Sequence, residues 1–155
     1  MKTRIPIVIT LIVCMGWLYL DAQTPVKKVT PSLAVGKAYS ISTMKKTRMS
    51  LQLEGKLFWG ENMLGNIIEF PPNFTPLAPH QHPHEQFVFC LGGEVEMKVG
   101  DKTFVMHKDD ICYVPPNVLH GAVPSPTRGV TLMDVFSPVR EDFIQKAIEQ
   151  GTATE

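Results

Sequence analysis

The clearest pattern in the chain is a strict alternation of polar and apolar residues. Residues 94–99 read Glu-Val-Glu-Met-Lys-Val, which places three charged side chains on one side of an extended chain and three apolar side chains on the other. Gly100 and Asp101 follow as a two-residue turn signal, and Phe104 and Met106 continue on the return strand. The pattern predicts an antiparallel hairpin with one buried face.

Shorter strand-like segments of the same kind fill most of the chain. Turn signals rich in glycine or proline separate them, notably at residues 71–73 and 115–117. The predicted strands lie at residues 49–53, 57–59, 66–70, 86–91, 111–114 and 130–136. Many short strands with turns between them predict an all-β sandwich or barrel, and 155 residues suit a single domain.

One helix is predicted, close to the C-terminus. Its apolar stripe has helical spacing and consists of Phe143, Ile144, Ala147 and Ile148. Ser137 is the expected N-cap, and Pro138 suits the first helical position. Glu141 and Asp142 load the first turn with negative charge, and Gly151 ends the helix.

The N-terminus has the pattern of a secretory signal peptide. Lys2 and Arg4 precede an apolar run at residues 5–20, and Ala22 offers a small residue for cleavage. The run is shorter than the ~20 apolar residues of a membrane span, although an uncleaved anchor is the alternative. We therefore expect a periplasmic or secreted protein with no membrane association after cleavage. Three parts are predicted, a signal peptide, an N-terminal extension and the main domain, at residues 1–22, 23–47 and 48–150.

Charge and cysteine content limit the kinds of function that the chain can have. The chain has 15 basic and 15 acidic residues, and no basic stripe that would attract nucleic acid. Cys90 and Cys112 lie inside apolar strand segments. An exported chain can oxidise such a pair, but the apolar setting favours buried free thiols.

Histidines supply the candidate chemistry. His80 and His82 have the i, i+2 spacing that places two side chains on one face of a strand, and Gln86 has the same parity. His120 follows a double proline and can come from a facing strand. Neutral imidazoles bind divalent transition metals, so these four residues predict one such ion. The alternative is a solvated polar turn that is rich in histidine by chance.

Both histidine segments resemble the motifs of the cupin superfamily. His80, His82, Gln86 and Gly92 match its first motif, and residues 115–120, which end in His120, match its second. The resemblance implies a jelly-roll type of small antiparallel β-barrel, and a metal ion held by His80, His82, Gln86 and His120. Asn117 stands in place of the motif glycine, which a turn tolerates because Asn accepts a positive φ.

The ligand set leaves two questions open. Gln86 replaces the more usual Glu, and the neighbouring Glu85 is the alternative ligand. Zn, Ni, Fe, Mn, Co and Cu all suit these residues. With a neutral Gln the ion keeps its full charge, which suits Lewis-acid chemistry. His84 matches no ligand position of the family and is predicted at the rim of the pocket.

A narrower resemblance covers residues 48–143. Residues 133–143, together with both metal motifs, are similar to the small pectin-degradation cupins, which open the ring of 4,5-unsaturated uronates to a linear keto-acid. The resemblance implies a metal-dependent ring-opening isomerase whose pocket is lined by Asp134, Phe136 and Arg140. The alternatives are a cupin dioxygenase and a non-catalytic cupin that binds a sugar or another small molecule.

The residues themselves support this pocket. Asp134 interrupts an apolar strand, and an inward carboxylate must be paired or functional. It can serve in acid–base catalysis, while the planar fork of Arg140 suits a substrate carboxylate. Alternatively, Asp134 and Arg140 form a structural ion pair, and Phe136 belongs to the core.

An apolar strip on the predicted strand at 86–91 bears on assembly. Phe87, Phe89 and Leu91 share the face opposite Gln86. Because such a strip must be covered, by the chain itself or by a second subunit, we expect a homodimer.

Overall fold

The computed structural model describes residues 29–153. The predicted signal peptide therefore lies outside the described residues. Within residues 29–153, no helix is long and apolar enough to cross a membrane.

Nine strands and one α-helix follow each other along the described chain. They are β1 (Thr47–Arg48), β2 (Glu54–Trp59), β3 (Leu64–Phe70), β4 (Glu85–Gly92), β5 (Glu94–Val99), β6 (Lys102–His107), β7 (Ile111–Val114), β8 (His120–Pro124), β9 (Val130–Ser137) and α1 (Glu141–Glu149). A short 3-10 helix at Ile41–Thr43 precedes them. The predicted all-β fold with a C-terminal helix is confirmed.

The strands form two antiparallel sheets. The larger sheet has the order β1-β2-β3-β9-β4-β7, and the smaller has the order β6-β5-β8. The main core contains side chains from both, such as Val88 and Leu132 of the larger sheet and Val95 and Met97 of the smaller. The sheets therefore pack face to face, and the core lies between them.

The last strand, β9, lies at the centre of the larger sheet. It pairs with β3 on one side and with β4 on the other, so Asp134 lies opposite both Asn66 and Val88. Its buried residues alternate with half-buried ones along the strand. This register turns Asp134 toward the core beside β3 and β4.

The predicted hairpin is confirmed in detail. Val95 and Met97 are buried, and the three charged residues that alternate with them, Glu94, Glu96 and Lys98, are exposed. Val99 pairs with Lys102, so Gly100 and Asp101 form the turn, with Gly100 at a φ of 61°. Cys90 and Cys112 are also buried, and neither is in a disulfide with a described residue, as the apolar strands predicted.

The predicted start of the helix is wrong. Ser137 still pairs with Glu85 at the end of β9, so it cannot cap the helix, and the N-cap is Arg140. Of the predicted apolar stripe, Ile144 and Ala147 are buried. Ile148 is exposed.

The tight connection between β4 and β5 provides a test of the packing. Gly93 has a φ of 83°, and a Cβ atom there would clash with the carbonyl oxygen of Gly129. We expect Gly93→Ala to lower the free energy of unfolding by about 2 kcal/mol, measured by thermal or urea denaturation. Gly92→Ala is the matched control, since a Cβ there meets no atom of the described residues within 4 Å. Equal stability of the two variants would contradict this packing.

Candidate metal centre

A pair of backbone hydrogen bonds brings the two histidine segments together. The His80 N–H donates to the His120 carbonyl, and the His120 N–H donates to the His80 carbonyl, each at 2.8 Å. The Asn117 N–H donates to the His82 carbonyl at 2.8 Å, from a turn in which Asn117 has a φ of 60°. The segment that ends in His120 is thus hydrogen-bonded through its backbone to both His80 and His82.

Three histidines converge at this point. Ring nitrogens of His80, His82 and His120 all lie within 4.8 Å of one another, a grouping that can hold a metal ion. His82 and His120 are buried, and His80 is exposed. The prediction that His80 and His82 share one strand is wrong, because His80 forms an isolated bridge and β4 starts only at Glu85.

Hydrogen bonds to the backbone orient two of the rings. Nδ1 of His120 lies 2.8 Å from the Val118 carbonyl, and Nδ1 of His82 lies 3.0 Å from the His84 carbonyl. A neutral ring that donates from Nδ1 presents a lone pair at Nε2. Nε2 of His120 is buried and has no hydrogen-bond partner among residues 29–153. A buried, unpartnered nitrogen is what a metal ion would satisfy.

Gln86 extends the site toward Asp134. Its Oε1 lies 3.0 Å from Nε2 of His82, and its Nε2 donates to Oδ1 of Asp134 at 2.8 Å. Both ring nitrogens of His82 therefore face carbonyl oxygens, although a neutral imidazole carries only one proton. Burial and the Arg140 charge lower the pKa of His82, which disfavours a second proton. These donor atoms fit a metal ion. Imidazole nitrogens and an amide oxygen converge there, and too few protons are present for every facing pair of atoms to form a hydrogen bond.

The protonation of the histidines also suits metal binding. Burial, with repulsion from His120 and His82, lowers the pKa of His80 to about 4. Although His80 as a residue is exposed, its ring lies against those of His120 and His82, with centroids 4.4 and 5.7 Å apart. Burial likewise lowers the pKa of His120. Near neutral pH the rings are in the neutral form that metal ions bind.

Glu85, the alternative ligand, points elsewhere. It is exposed on the opposite face of β4, whereas Gln86 is buried next to His82. The alternation of the strand thus gives Gln86 the inward position.

A cavity of about 110 Å³ adjoins the histidines. Its polar lining residues are Asn66, His80, Gln86, His120, Asp134 and Arg140. Aliphatic and aromatic side chains form most of the remaining wall, including Ile68, Phe70, Val88, Leu132 and Phe136. The polar groups are therefore concentrated in an otherwise apolar enclosure, which strengthens electrostatic interactions with a bound molecule.

Asp134 is the buried acid of this cavity. Burial raises its pKa to about 7, against the opposing effects of the Gln86 hydrogen bond and the Arg140 charge. A carboxyl group with such a pKa can both accept and release a proton near neutral pH. The prediction of an inward carboxylate on β9 is thus matched by its position.

Arg140 is held by Asp142 and by aromatic rings. Its Nε and Nη2 donate to the two carboxylate oxygens of Asp142 at 3.1 and 2.6 Å. The guanidinium carbon lies 3.8 Å from the ring centroid of Phe143 and 5.3 Å from that of Phe136. The alternative of an Asp134–Arg140 ion pair is therefore wrong, since among the described residues Arg140 pairs with Asp142 and Asp134 accepts from Gln86.

Comparisons with known proteins agree with this architecture. Residues 66–136 match the family model described as "Cupin domain". The chain therefore contains a cupin domain. A crystal structure of an RmlC-like cupin from Shewanella frigidimarina NCIMB 400 is 28% identical, with a TM-score of 0.63, and the match covers 74% of this chain and 99% of that one.

Two curated proteins share parts of the cupin domain. The H2HPP isomerase of Bacillus subtilis is 36% identical over 70 residues, which are 44% of this chain and 30% of that protein. The Pectin degradation protein KdgF of Dickeya dadantii (strain 3937) is 28% identical over 87 residues, 56% of this chain and 77% of that protein. The structure of KdgF from Halomonas sp. has a TM-score of 0.61 at 20% identity, covering 68% of this chain and 98% of that one, which shows a shared fold.

Two further polar residues, one in the cavity wall and one in contact with Arg140, were not singled out from the sequence. Asn66 is 1% exposed, and within the described part of the chain its Oδ1 has no hydrogen-bond partner. It lies over Gly55, where any Cβ atom would clash with its side chain. The sequence does contain a signal for Asn66, because it is a polar residue next to the apolar Ile67 and Ile68. The same reasoning identified Asp134.

The second missed residue is Asp142, which the sequence analysis assigned only to the first turn of the helix. Its contact with Arg140 depends on the true start of α1, which local sequence did not reveal. His84, predicted at the rim, is half-buried with its ring centroid 5.6 Å from that of His82.

The turn at Asn117 allows a test of how the site is assembled. Because its φ is 60°, a β-branched residue is strained there, whereas glycine is not. We expect Asn117→Val to lower the free energy of unfolding by about 2 kcal/mol and Asn117→Gly to have little effect, both measured by thermal unfolding. A Val variant as stable as the Gly variant would argue against this turn.

Proposed function

We propose that this cupin is a metal-dependent enzyme that opens the ring of 4,5-unsaturated uronates to the linear keto-acid. The observation that carries the proposal is the chain of contacts from His82 through Gln86 to Asp134, which puts an acid–base group beside the candidate metal centre in one cavity. The likeness to a protein named for pectin degradation supports the substrate class.

In this proposal His80, His82, Gln86 and His120 hold one divalent transition metal ion. When bound, the ion supplies Lewis-acid stabilisation of negative charge on a substrate oxygen. The unpartnered Nε2 of His120 and the converging lone pairs of His82 and Gln86 support this ligand set.

Arg140 is proposed to bind the uronate carboxylate. Asp142 takes Nε and one side of Nη2, which leaves the N–H groups of Nη1 for a second carboxylate. Because Asp142 and Phe143 immobilise the guanidinium, little freedom is lost when the substrate binds. Asp142 therefore acts as a positioning residue for Arg140.

Asp134 is proposed to move the proton that ring opening requires. The anomeric hydroxyl loses its proton, the bond between the anomeric carbon and the ring oxygen breaks, and the ring oxygen regains a proton. The resulting enol becomes the ketone by a further proton shift, so the atoms balance without another reactant. Gln86, which donates to Asp134, orients the carboxyl group. Phe136 and the apolar wall exclude water from the reacting atoms.

The size of the cavity limits the substrate. About 110 Å³ is several-fold less than the roughly 300–1,000 Å³ of pockets for drug-sized ligands. This favours a single sugar ring over an oligosaccharide. With the predicted signal peptide, the proposed reaction takes place in the periplasm or outside the cell.

Metal content tests the proposed ligands. We expect untagged protein to bind one divalent metal ion per chain, measured by elemental analysis. His120→Ala should weaken binding by more than the roughly 10- to 100-fold that is typical of losing an outer-sphere partner. His107→Ala is the control, since His107 is an exposed histidine paired with Glu94 and Asp110. Equal metal binding by both variants would rule out this site.

The same assay compares the two candidate fourth ligands. Gln86→Ala should reduce metal affinity, and Glu85→Ala should leave it unchanged, because only Gln86 faces His82. The reverse order would assign the ligand to Glu85.

Turnover tests the proposed reaction. Metal-loaded protein is incubated with 4,5-unsaturated galacturonate, and the loss of ring signals is followed by NMR. We expect opening faster than the spontaneous rate, and a decrease in kcat/KM of about 100-fold for Asp134→Asn. Asp142→Asn should raise KM more than it lowers kcat, because it loosens Arg140 without touching Asp134.

Three outcomes separate the alternatives. A rate no higher than the spontaneous one, at full metal occupancy, contradicts the proposed activity. Tight uronate binding that persists in Asp134→Asn without product would indicate a binding protein. Oxygen consumption with another substrate would indicate a dioxygenase.

A further inference from the structure

One polar residue on the inward face of β3 has no role in the proposed ring opening. The inward residues of this strand are Leu64, Asn66, Ile68 and Phe70, all of them buried, and Asn66 is the polar one. Asn66 lines the cavity beside the histidines. Its amide is thus withdrawn from bulk water at a position where an apolar side chain would be less costly to bury.

Asn66 stands directly opposite Asp134. The two residues pair across β3 and β9, and both line the same cavity. Residues that face each other in an antiparallel pair have Cβ atoms about 5 Å apart. The amide is therefore the next polar group beyond the contacts that run from His82 through Gln86 to Asp134. A molecule bound over Asp134 lies within reach of Asn66.

The packing of the barrel does not account for this amide. Its Oδ1 has no hydrogen-bond partner among the described residues. The side chain lies over Gly55, which leaves room for it because glycine has no Cβ atom. Leu has nearly the same branched outline as Asn, so an apolar residue would fill this space equally well. A buried polar group of this kind is explained by a ligand that supplies the missing partner.

The chemistry of the amide indicates which ligand group it binds. Its oxygen accepts hydrogen bonds, and its nitrogen carries two N–H donors. A hydroxyl group can donate and accept, whereas an ionised carboxylate can only accept. The terminal torsion of Asn is broad, so the amide can turn to meet a ligand. Two neighbouring hydroxyl groups suit it, because one can donate to Oδ1 while the other accepts from Nδ2.

We infer that Asn66 binds the hydroxyl groups at C2 and C3 of the substrate, an inference that rests on the proposed uronate function. In that proposal Asp134 acts at the anomeric and ring oxygens, and Arg140 binds the carboxylate. The C2 and C3 hydroxyl groups are the polar groups of a 4,5-unsaturated uronate that remain, and they are neighbours on the ring. Asn66 thus selects a hydroxylated sugar acid over a plain ring acid, without taking part in bond breaking.

Two ligands that cannot react test this contact. The methyl glycoside of 4,5-unsaturated galacturonate does not open, because its anomeric oxygen carries no proton, and its 2,3-dideoxy counterpart lacks both hydroxyl groups. Each is titrated into the metal-loaded chain by calorimetry. We expect the wild type to bind the hydroxylated ligand at least roughly tenfold more tightly than the dideoxy ligand. Asn66→Leu should bind the two ligands about equally.

Thermal unfolding separates a binding role from a structural one. Because Oδ1 has no partner within the described residues, Asn66→Leu should unfold at the same temperature as the wild type or at a higher one. Its metal content should be unchanged. Asn66→Ala removes the same amide without filling the space over Gly55, so its ligand preference decides if the Leu variant does not fold.

Ile68→Val is the matched control. Ile68 is a buried cavity residue of the same strand, two positions from Asn66, and the substitution removes one methyl group from the cavity wall. The affinities for both ligands should change by a similar factor, because a methyl group forms no hydrogen bond with a hydroxyl. The preference for the hydroxylated ligand should therefore be that of the wild type.

Two results would overturn the inference. Equal affinity of the wild type for the two ligands, or a preference that survives in Asn66→Leu, would assign the hydroxyl groups to another residue and leave the uronate proposal intact. A metal-loaded wild type that binds neither ligand would contradict the uronate proposal and this contact together.

Discussion

The candidate site depends on the backbone bridge between His80 and His120. These two residues are 40 positions apart, and each donates its N–H to the carbonyl of the other. The bridge fixes the distance between the two histidine segments, and the Asn117 N–H adds a second tie to His82. Side-chain positions then follow from hydrogen bonds to the Val118 and His84 carbonyls, which hold the rings before any ligand arrives. Preorganisation of this kind reduces the entropy lost on binding.

The polar side chains that connect the histidines to Asp134 are costly to bury, and some polar atoms around them lack a hydrogen-bond partner among the described residues. Gln86 and Asp134 lie within a sheet whose other inward residues are largely apolar. The Gln86 hydrogen bond and the Arg140 charge only partly offset the burial of Asp134, so its pKa stays well above the ordinary value. Unpartnered atoms on Asn66 and His120 add to the cost. Such groups inside an otherwise well-packed core mark a functional site more often than a structural one.

Most of the fold follows from short-range patterns in the sequence. The alternation at residues 94–99 predicted both the buried face of β5 and the hairpin, because side-chain direction in a strand depends only on parity. Parity alone left both Gln86 and Glu85 open as the fourth ligand, and it is the structure that places Gln86 next to His82. The helix start was wrong because Ser137 is fixed by a partner 52 positions away in β4, which local capping rules do not see. The Arg140–Asp142 pair was missed for the same reason, since it exists only with the shorter helix.

We propose above all that His80, His82, Gln86 and His120 hold a metal ion next to Asp134. A crystal structure of the metal-loaded protein, with diffraction data collected across the absorption edge of the bound element, tests it most directly. We expect one anomalous peak per chain, coordinated by three imidazole nitrogens and the amide oxygen of Gln86. A peak located elsewhere, or one coordinated by Glu85 in place of Gln86, would contradict it.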